Sequence, residues 1–215
     1  MNIVVLSTES LYPAPPMSTL EELTMPGSVR LQFGARGPIL SVAVRALEQA
    51  VAHVSGNLDV ESGGICLGRV LRGPDERLLI TMEEIVRAEN SQDSAVVQSS
   101  ASLTFTPQAW RSMIDVSQSN FSSLRILGWY HSHPGFGVFL SSMDLFIHDH
   151  FFSKLWHIAL VLDPRKRQAG FFARHQNKLL LNGLQWLEGG MQFKPLPFID
   201  VIRGTRITRL CQLHR

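Results

Sequence analysis

The sequence predicts an α/β fold of the α+β kind, in which a mixed, mostly antiparallel sheet is flanked by helices. Three observations lead there. Two apolar runs, "GGICLGRVL" and "RLLITMEEIV", are separated by "RGPDE", a turn signal between antiparallel strands. Val44, Leu47, Val51 and Val54 recur at helical spacing just ahead of that hairpin. Along the whole chain the elements alternate as α-β-β-α-β-α-β-β, the pattern of a sheet covered by helices.

Taken in order, residues 1–37 mix a short apolar start, a Pro-rich stretch and "MPGSVRLQFGARG", and read as an N-terminal extension. The main domain is expected over 38–187. Ser41 is the expected N-cap of a first helix running to about Val54. After the hairpin, "AENSQDSAVVQSSA" from Ala88 to Ala101 is polar, small and longer than most connections, which suits a binding loop. "LTF" is a short strand. Thr106 followed by Pro107 is an N-cap with proline at the first helical position, opening a helix to about Gln118. "LRILGWYHSH" is the next strand, "SSMDLFIHDHFF" a helix, and "LWHIALVLD" and "QAGFFARH" are strands split by "PRKR". "KLLLNGLQWL" is apolar and fits strand or helix, and 188–215 forms a basic tail.

Composition narrows the function classes. The chain has 215 residues, 45% of them hydrophobic, enough for a sizeable core. A formal charge of +2 without a long Lys/Arg block argues against nucleic acid. Cys66 and Cys211 cannot build a disulfide framework, and Cys66 sits in an apolar run as a small hydrophobe, so a reducing cytoplasm is expected. No segment reaches the roughly 20 apolar residues of a membrane span, and the N-terminus lacks export features, so no membrane association is expected.

The chemistry concentrates in "GWYHSHPGFGVFLSSMD", residues 128–144. On a strand, side chains at i and i+2 share a face, so His131 and His133 can present two imidazoles to one ion. Pro134 stops ladder pairing and "GFG" turns the chain, which puts the pair at a strand end. Asp144 falls in the first turn of the next helix, where its carboxylate can point back as a third ligand. Two histidines, one carboxylate and an open position suit catalytic rather than structural zinc. Alone, a His-x-His is mostly accidental and Ser141-x-x-Asp144 is a helix-capping signature. His148 and His150 stand about 200° apart on a helix and cannot share an ion as the strand pair can, although His148, four residues after Asp144, can face the same way. His157 reads as a core histidine. Trp129, Phe136, Phe139, Phe151 and Phe152 read as packing around the site.

"HSHPGFGVFLSSMD" resembles the His-x-His-Pro, Ser-x-x-Asp signature of the JAMM (MPN-plus, JAB) metalloproteases, with "HSHPGFG" similar to the proteasome-lid deubiquitinase. Upstream, "ESGGICLG" from Glu61 to Gly68 is similar to the family's Glu-x-x-Gly-x-x-x-Gly segment and to prokaryotic JAB peptidases especially. With the "VLDP" strand end at Val161 to Pro164, the resemblance spans roughly residues 38–187. It implies an MPN/JAB, cytidine-deaminase-like fold and one Zn²⁺ per chain held by His131, His133 and Asp144. It implies Glu61 as catalytic acid/base and Ser141 as the hydroxyl that stabilises the oxyanion. Gly63 and Gly64 are assigned backbone roles, as turn or bulge residues.

The resemblance further implies a peptidase or isopeptidase that cuts after the C-terminus of a ubiquitin-like protein. Such a protein and its conjugates would be the partners, with activating (E1-like) and conjugating (E2-like) enzymes alongside, as in bacterial ubiquitin-like conjugation systems, including antiviral ones. Alternatives are a JAMM hydrolase acting on a sulfur-carrier protein and a non-catalytic MPN scaffold. The substrate's tail is expected to pair as an added strand on "SAVVQSS", at Val96 and Val97, and to pass between that segment, Phe136 and Phe139.

Overall fold

The computed structural model describes residues 25–88, 97–99, 102–186, 193–195 and 199–201. Its elements are β1 Ser28–Gln32, β2 Ile39–Ala43, α1 Val44–Ser55, β3 Gly63–Arg72, β4 Leu78–Arg87, β5 Val97–Ser99 and β6 Ser102–Thr104. They continue with α2 Pro107–Asn120, β7 Arg125–Ser132, α3 Ser142–Phe151, β8 Ile158–Asp163, β9 Gln168–His175, β10 Lys178–Trp186, β11 Phe193–Pro195 and β12 Ile199–Val201. One 10-stranded sheet runs β1-β2-β4-β3-β7-β8-β9-β10-β11, with β12 also on β10, and β5 and β6 form a separate ribbon. Within the large sheet only β2–β4 and β7–β8 pair parallel. Among the described residues no helix is long and apolar enough to cross a membrane.

Helices cover both faces. On one, Leu47, Ala50, Val51 and Val54 of α1 pack with Leu40, Val42, Cys66, Ile80 and Tyr130. On the other, Ala109 and Met113 of α2 and Ile147 of α3 pack with Ile65, Leu67, Trp129, Phe152 and Phe172. The predicted hairpin is β3–β4, and "KLLLNGLQWL" is a strand because its two faces are both buried beside β9.

Two expectations at the start of the domain are corrected. Ser41 does not cap α1: it lies inside β2, 2% exposed, with its hydroxyl on Ser28 Oγ at 3.0 Å. The run Ile39–Val42 is buried throughout, and a fully buried strand reads in sequence like the first turn of a helix. The strand passes directly into the helix, whose first N–H, on Val44, donates to Gly27 O. That bond ties in β1, so the sheet begins before Pro38: β1 pairs with β2 from Ser28 to Gln32, and Leu31 and Phe33 are buried. At the other end β11 and β12, within the segment expected as a tail, pair with β10.

The strand that carries the histidines changes phase on its way to them. Cys66 pairs with Gly128 and Leu67 with Ile126, so Leu127 is an extra residue bulged out of β7. Ile126 and Trp129 consequently face the α2/α3 side while Leu127 and Tyr130 face α1. Without the bulge, Trp129 and His131 would be turned toward α1. Gly128 permits it: φ is +149°, and a Cβ there would stand 1.8 Å from Ile158 O. Gly128→Ala is expected to lower stability by about 3 kcal/mol through backbone strain and overpacking. For a chain of this size that is roughly 6–12 °C of Tm, read in a thermal melt; a shift within 2 °C would show that the bulge is dispensable.

Candidate metal centre

His131 is the next-to-last residue of β7, on the α2/α3 side, and His133 is the first residue past the strand, where its N–H donates to Leu162 O of β8 at 2.8 Å. The strand stops there as the Pro134 signal predicts. Both rings are buried. Their Nε2 atoms are 3.1 Å apart, and neither Nδ1 has a hydrogen-bond partner among the described residues, so Nε2 is the inward-facing atom of each. Trp129 stacks on the His131 ring at 4.3 Å and 11°, and Phe139 leans on His133 at 4.5 Å and 41°.

Asp144 reaches the same point from α3. Its Oδ1 is 3.4 Å from His131 Nε2 and its Oδ2 3.5 Å from His133 Nε2. The capping reading and the ligand reading hold together. Ser141 is the N-cap, Asp144 N–H donates to Ser141 Oγ at 3.2 Å, and Ser141 N–H donates to Asp144 Oδ2 at 2.6 Å. The cap thus fixes the carboxylate against the histidines, with Ser141 Oγ accepting from the Asp144 N–H. Burial alone would raise the Asp144 pKa. The His131 ring and hydrogen bonds from His131, His133 and Ser141 outweigh that and hold the carboxyl well below the usual carboxylate range.

His131, His133 and Asp144 each offer one ligand atom, all within 4.8 Å of one another. Tetrahedral bonds of about 2.0–2.1 Å would set donors about 3.3 Å apart. The Nε2 atoms, 3.1 Å apart, are close to that spacing, and Asp144 meets each of them with a different oxygen, at 3.4 and 3.5 Å, so the three residues fit a small divalent cation. Glu61, 3% exposed, stands just ahead of β3 with Oε1 3.7 Å from His133 Nε2.

The remaining sequence candidates fall as follows. His148 is fully buried, outside the metal cluster, and packed near Phe152; burial, then Arg174 and His157, push its pKa down to about 3, so it is a neutral core imidazole. His150 is exposed, and His157 is buried with Nδ1 accepting from Lys154 N–H. Phe136 is 44% exposed in the turn after His133, and Trp129 and Phe152 are buried in a stack. Gly63 and Gly64 lie in β3 rather than a turn; a Cβ on Gly64 would meet Val86 O at 2.1 Å. Val97 is in β5, paired with Thr104 of β6, and Val96 lies outside the described residues. Cys66 is buried, and burial pushes its thiol up, away from reactivity.

Asp163 was not singled out by the sequence. Fully buried at the end of β8, it accepts from Gly135 N–H at 2.9 Å and Gly137 N–H at 2.7 Å, and from the N–H groups of Arg165 and Lys166. It therefore ties the turn after His133 to the β8–β9 connection. The readable signal is an aspartate before proline at a strand end, opposite a Gly-rich turn that needs acceptors. Asp163→Ala is expected to cost at least about 3 kcal/mol, since bonds to a charged acceptor contribute roughly 1.5–3 each, and to reduce metal content, because His133 opens that turn. Thermal melts and elemental analysis check both; unchanged metal content would show that the turn is held without Asp163.

The chain matches the JAB1/Mov34/MPN/PAD-1 ubiquitin protease family over residues 39–154. It belongs to that family. Among individual proteins, this JAB/MPN chain is similar to the 26S proteasome non-ATPase regulatory subunit 14 of Dictyostelium discoideum, 26% identical over 61% of this chain and 40% of that one. It is 25% identical to the 26S proteasome regulatory subunit RPN11 of Encephalitozoon cuniculi, over 70% of this chain and 48% of the other. A third relative is the COP9 signalosome complex subunit 5b of Arabidopsis thaliana, 27% identical over 49% and 27% of the two chains. In each case the JAB/MPN chain covers less than half of the relative's length.

Proposed function

We propose that this JAB/MPN chain is a zinc-dependent peptidase or isopeptidase that cuts after the C-terminus of a ubiquitin-like protein. One observation carries the reading: the two Nε2 atoms and the Asp144 carboxylate converge within 4.8 Å of one another with the Glu61 carboxylate beside them, all in a buried setting. Family membership favours zinc as the metal and ubiquitin-like conjugates as the substrate class. Zinc held by His131, His133 and Asp144 supplies Lewis acidity, making water acidic near neutral pH and polarising a carbonyl. Glu61 takes the proton of the attacking water as the C–O bond forms, then delivers it to the amine as the C–N bond breaks. Ser141, which hydrogen-bonds the Asp144 carboxylate before substrate arrives, turns its O–H to donate to the developing oxyanion. No covalent enzyme intermediate is needed.

The tail of the substrate is proposed to lie along the β5–β6 ribbon as an added strand and to pass Phe136. Its conjugates would be the products of E1-like and E2-like enzymes. The test offers the zinc-loaded chain an isopeptide-linked ubiquitin dimer, a linear fusion to a ubiquitin-like protein, and a sulfur-carrier protein extended at its C-terminus. Mass spectrometry should show chelator-sensitive release of a domain ending at its native C-terminus. Cleavage confined to the carrier would move the substrate class, and no cleavage of any at full zinc occupancy would make the chain a scaffold.

A further inference from the structure

Between the two histidines stands Ser132, fully buried and, by strand alternation, on the face opposite theirs. It meets the residue next to Glu61 twice: Ser132 N–H donates to Ser62 O at 2.9 Å, and Ser62 N–H donates to Ser132 Oγ at 2.9 Å. An antiparallel hydrogen-bonded pair ordinarily exchanges both bonds through backbone atoms. Here, one rung beyond the Gly63–His131 pair, the return bond ends on a side-chain hydroxyl. At this point β7 is also engaged with β8, to which His133 gives its N–H. The hydroxyl lets the Glu61–Ser62 backbone stay attached to β7 at the place where β7 leaves the ladder.

We infer that Ser132 is a positioning residue for Glu61. Its hydroxyl holds Ser62, and so sets where the neighbouring carboxylate stands relative to His133, 3.7 Å away. The inference rests on the catalytic reading of Glu61. A displacement of about 1 Å at a reacting group can cost on the order of 10²-fold in rate, whereas the histidines, on the opposite face, keep their geometry.

The experiment compares Ser132→Ala, Ser132→Thr and Glu61→Gln in the zinc-loaded chain. Ser132→Ala should keep full metal content, lose at least tenfold in kcat with KM within twofold, and expose the Ser62 amide to faster hydrogen exchange while Gly64 stays protected. Ser132→Thr, which keeps the acceptor, should restore both kcat and the Ser62 protection. If the alanine variant melts below the assay temperature, Ser132→Cys, a weak acceptor of similar size, takes its place with the same expectations. Wild-type kcat in Ser132→Ala alongside an inactive Glu61→Gln would overturn the inference, as would unchanged protection at Ser62 or loss of metal. Glu61→Gln turning over at the wild-type rate would instead overturn the catalytic reading, and the Ser62 exchange would still decide whether the hydroxyl holds that backbone.

Discussion

Glu61→Gln is expected to keep its metal and its melting temperature and to lose at least ~10²-fold in kcat, about 2.7 kcal/mol of transition-state stabilisation. The substitution changes one atom. The amide retains the size and shape of the carboxylate but replaces one acceptor oxygen by a donor NH2 and cannot take a proton from water. Glu61 is 3% exposed and close to His133 rather than to solvent, which separates it from the surface carboxylate that a residue before a strand would otherwise be. Its position ahead of β3, beside the β7 end, gives it access to the point where the three metal-binding atoms converge. The assay is cleavage of a ubiquitin-like fusion with metal content measured on the same sample. Turnover at the wild-type rate with full metal would return Glu61 to a structural role.

How far the site could be read from sequence depends on whether a role is carried by side-chain spacing or by backbone geometry. His131 and His133 were legible because a two-residue period on a strand places side chains together whatever the rest of the fold does. Asp144 was legible for a similar reason: a capping box at Ser141 dictates where the N3 carboxylate points. The bulge at Leu127 was not, although Gly128 marks its place, because a register shift is a property of two strands and only one is visible in a local reading. Asp163 and Ser132 escaped for the same cause. Each acts on backbone N–H groups from a segment distant in sequence, 26 to 28 residues for Asp163 and 70 for Ser132. Ser41 shows the reverse error, in which a good local capping signal lost to tertiary burial of the strand around it.

One zinc per chain is expected in the wild type, and none in His131→Ala, His133→Ala or Asp144→Ala, since removing one of three protein ligands leaves too few for a stable site. The three variants should differ in a way that separates ligation from folding. Asp144 also accepts Ser141 N–H, so Asp144→Ala loses part of the helix cap, about 1 kcal/mol, as well as the metal. Asp144→Asn keeps an acceptor for that N–H but not the charge, and should lose metal with less loss of stability. The alanine variants at the histidines leave α3 capped. Chelator should lower the wild-type Tm, because a ligand that binds only the folded state contributes about 4 kcal/mol at a thousand times its Kd, and should leave the ligand variants unmoved. His148→Gln, one helical turn beyond Asp144 but packed near Phe152, should retain full metal. Elemental analysis per folded chain decides it: metal retained in a His131/His133 double variant, or lost in His148→Gln, would mean that the ion is held by a different set of residues.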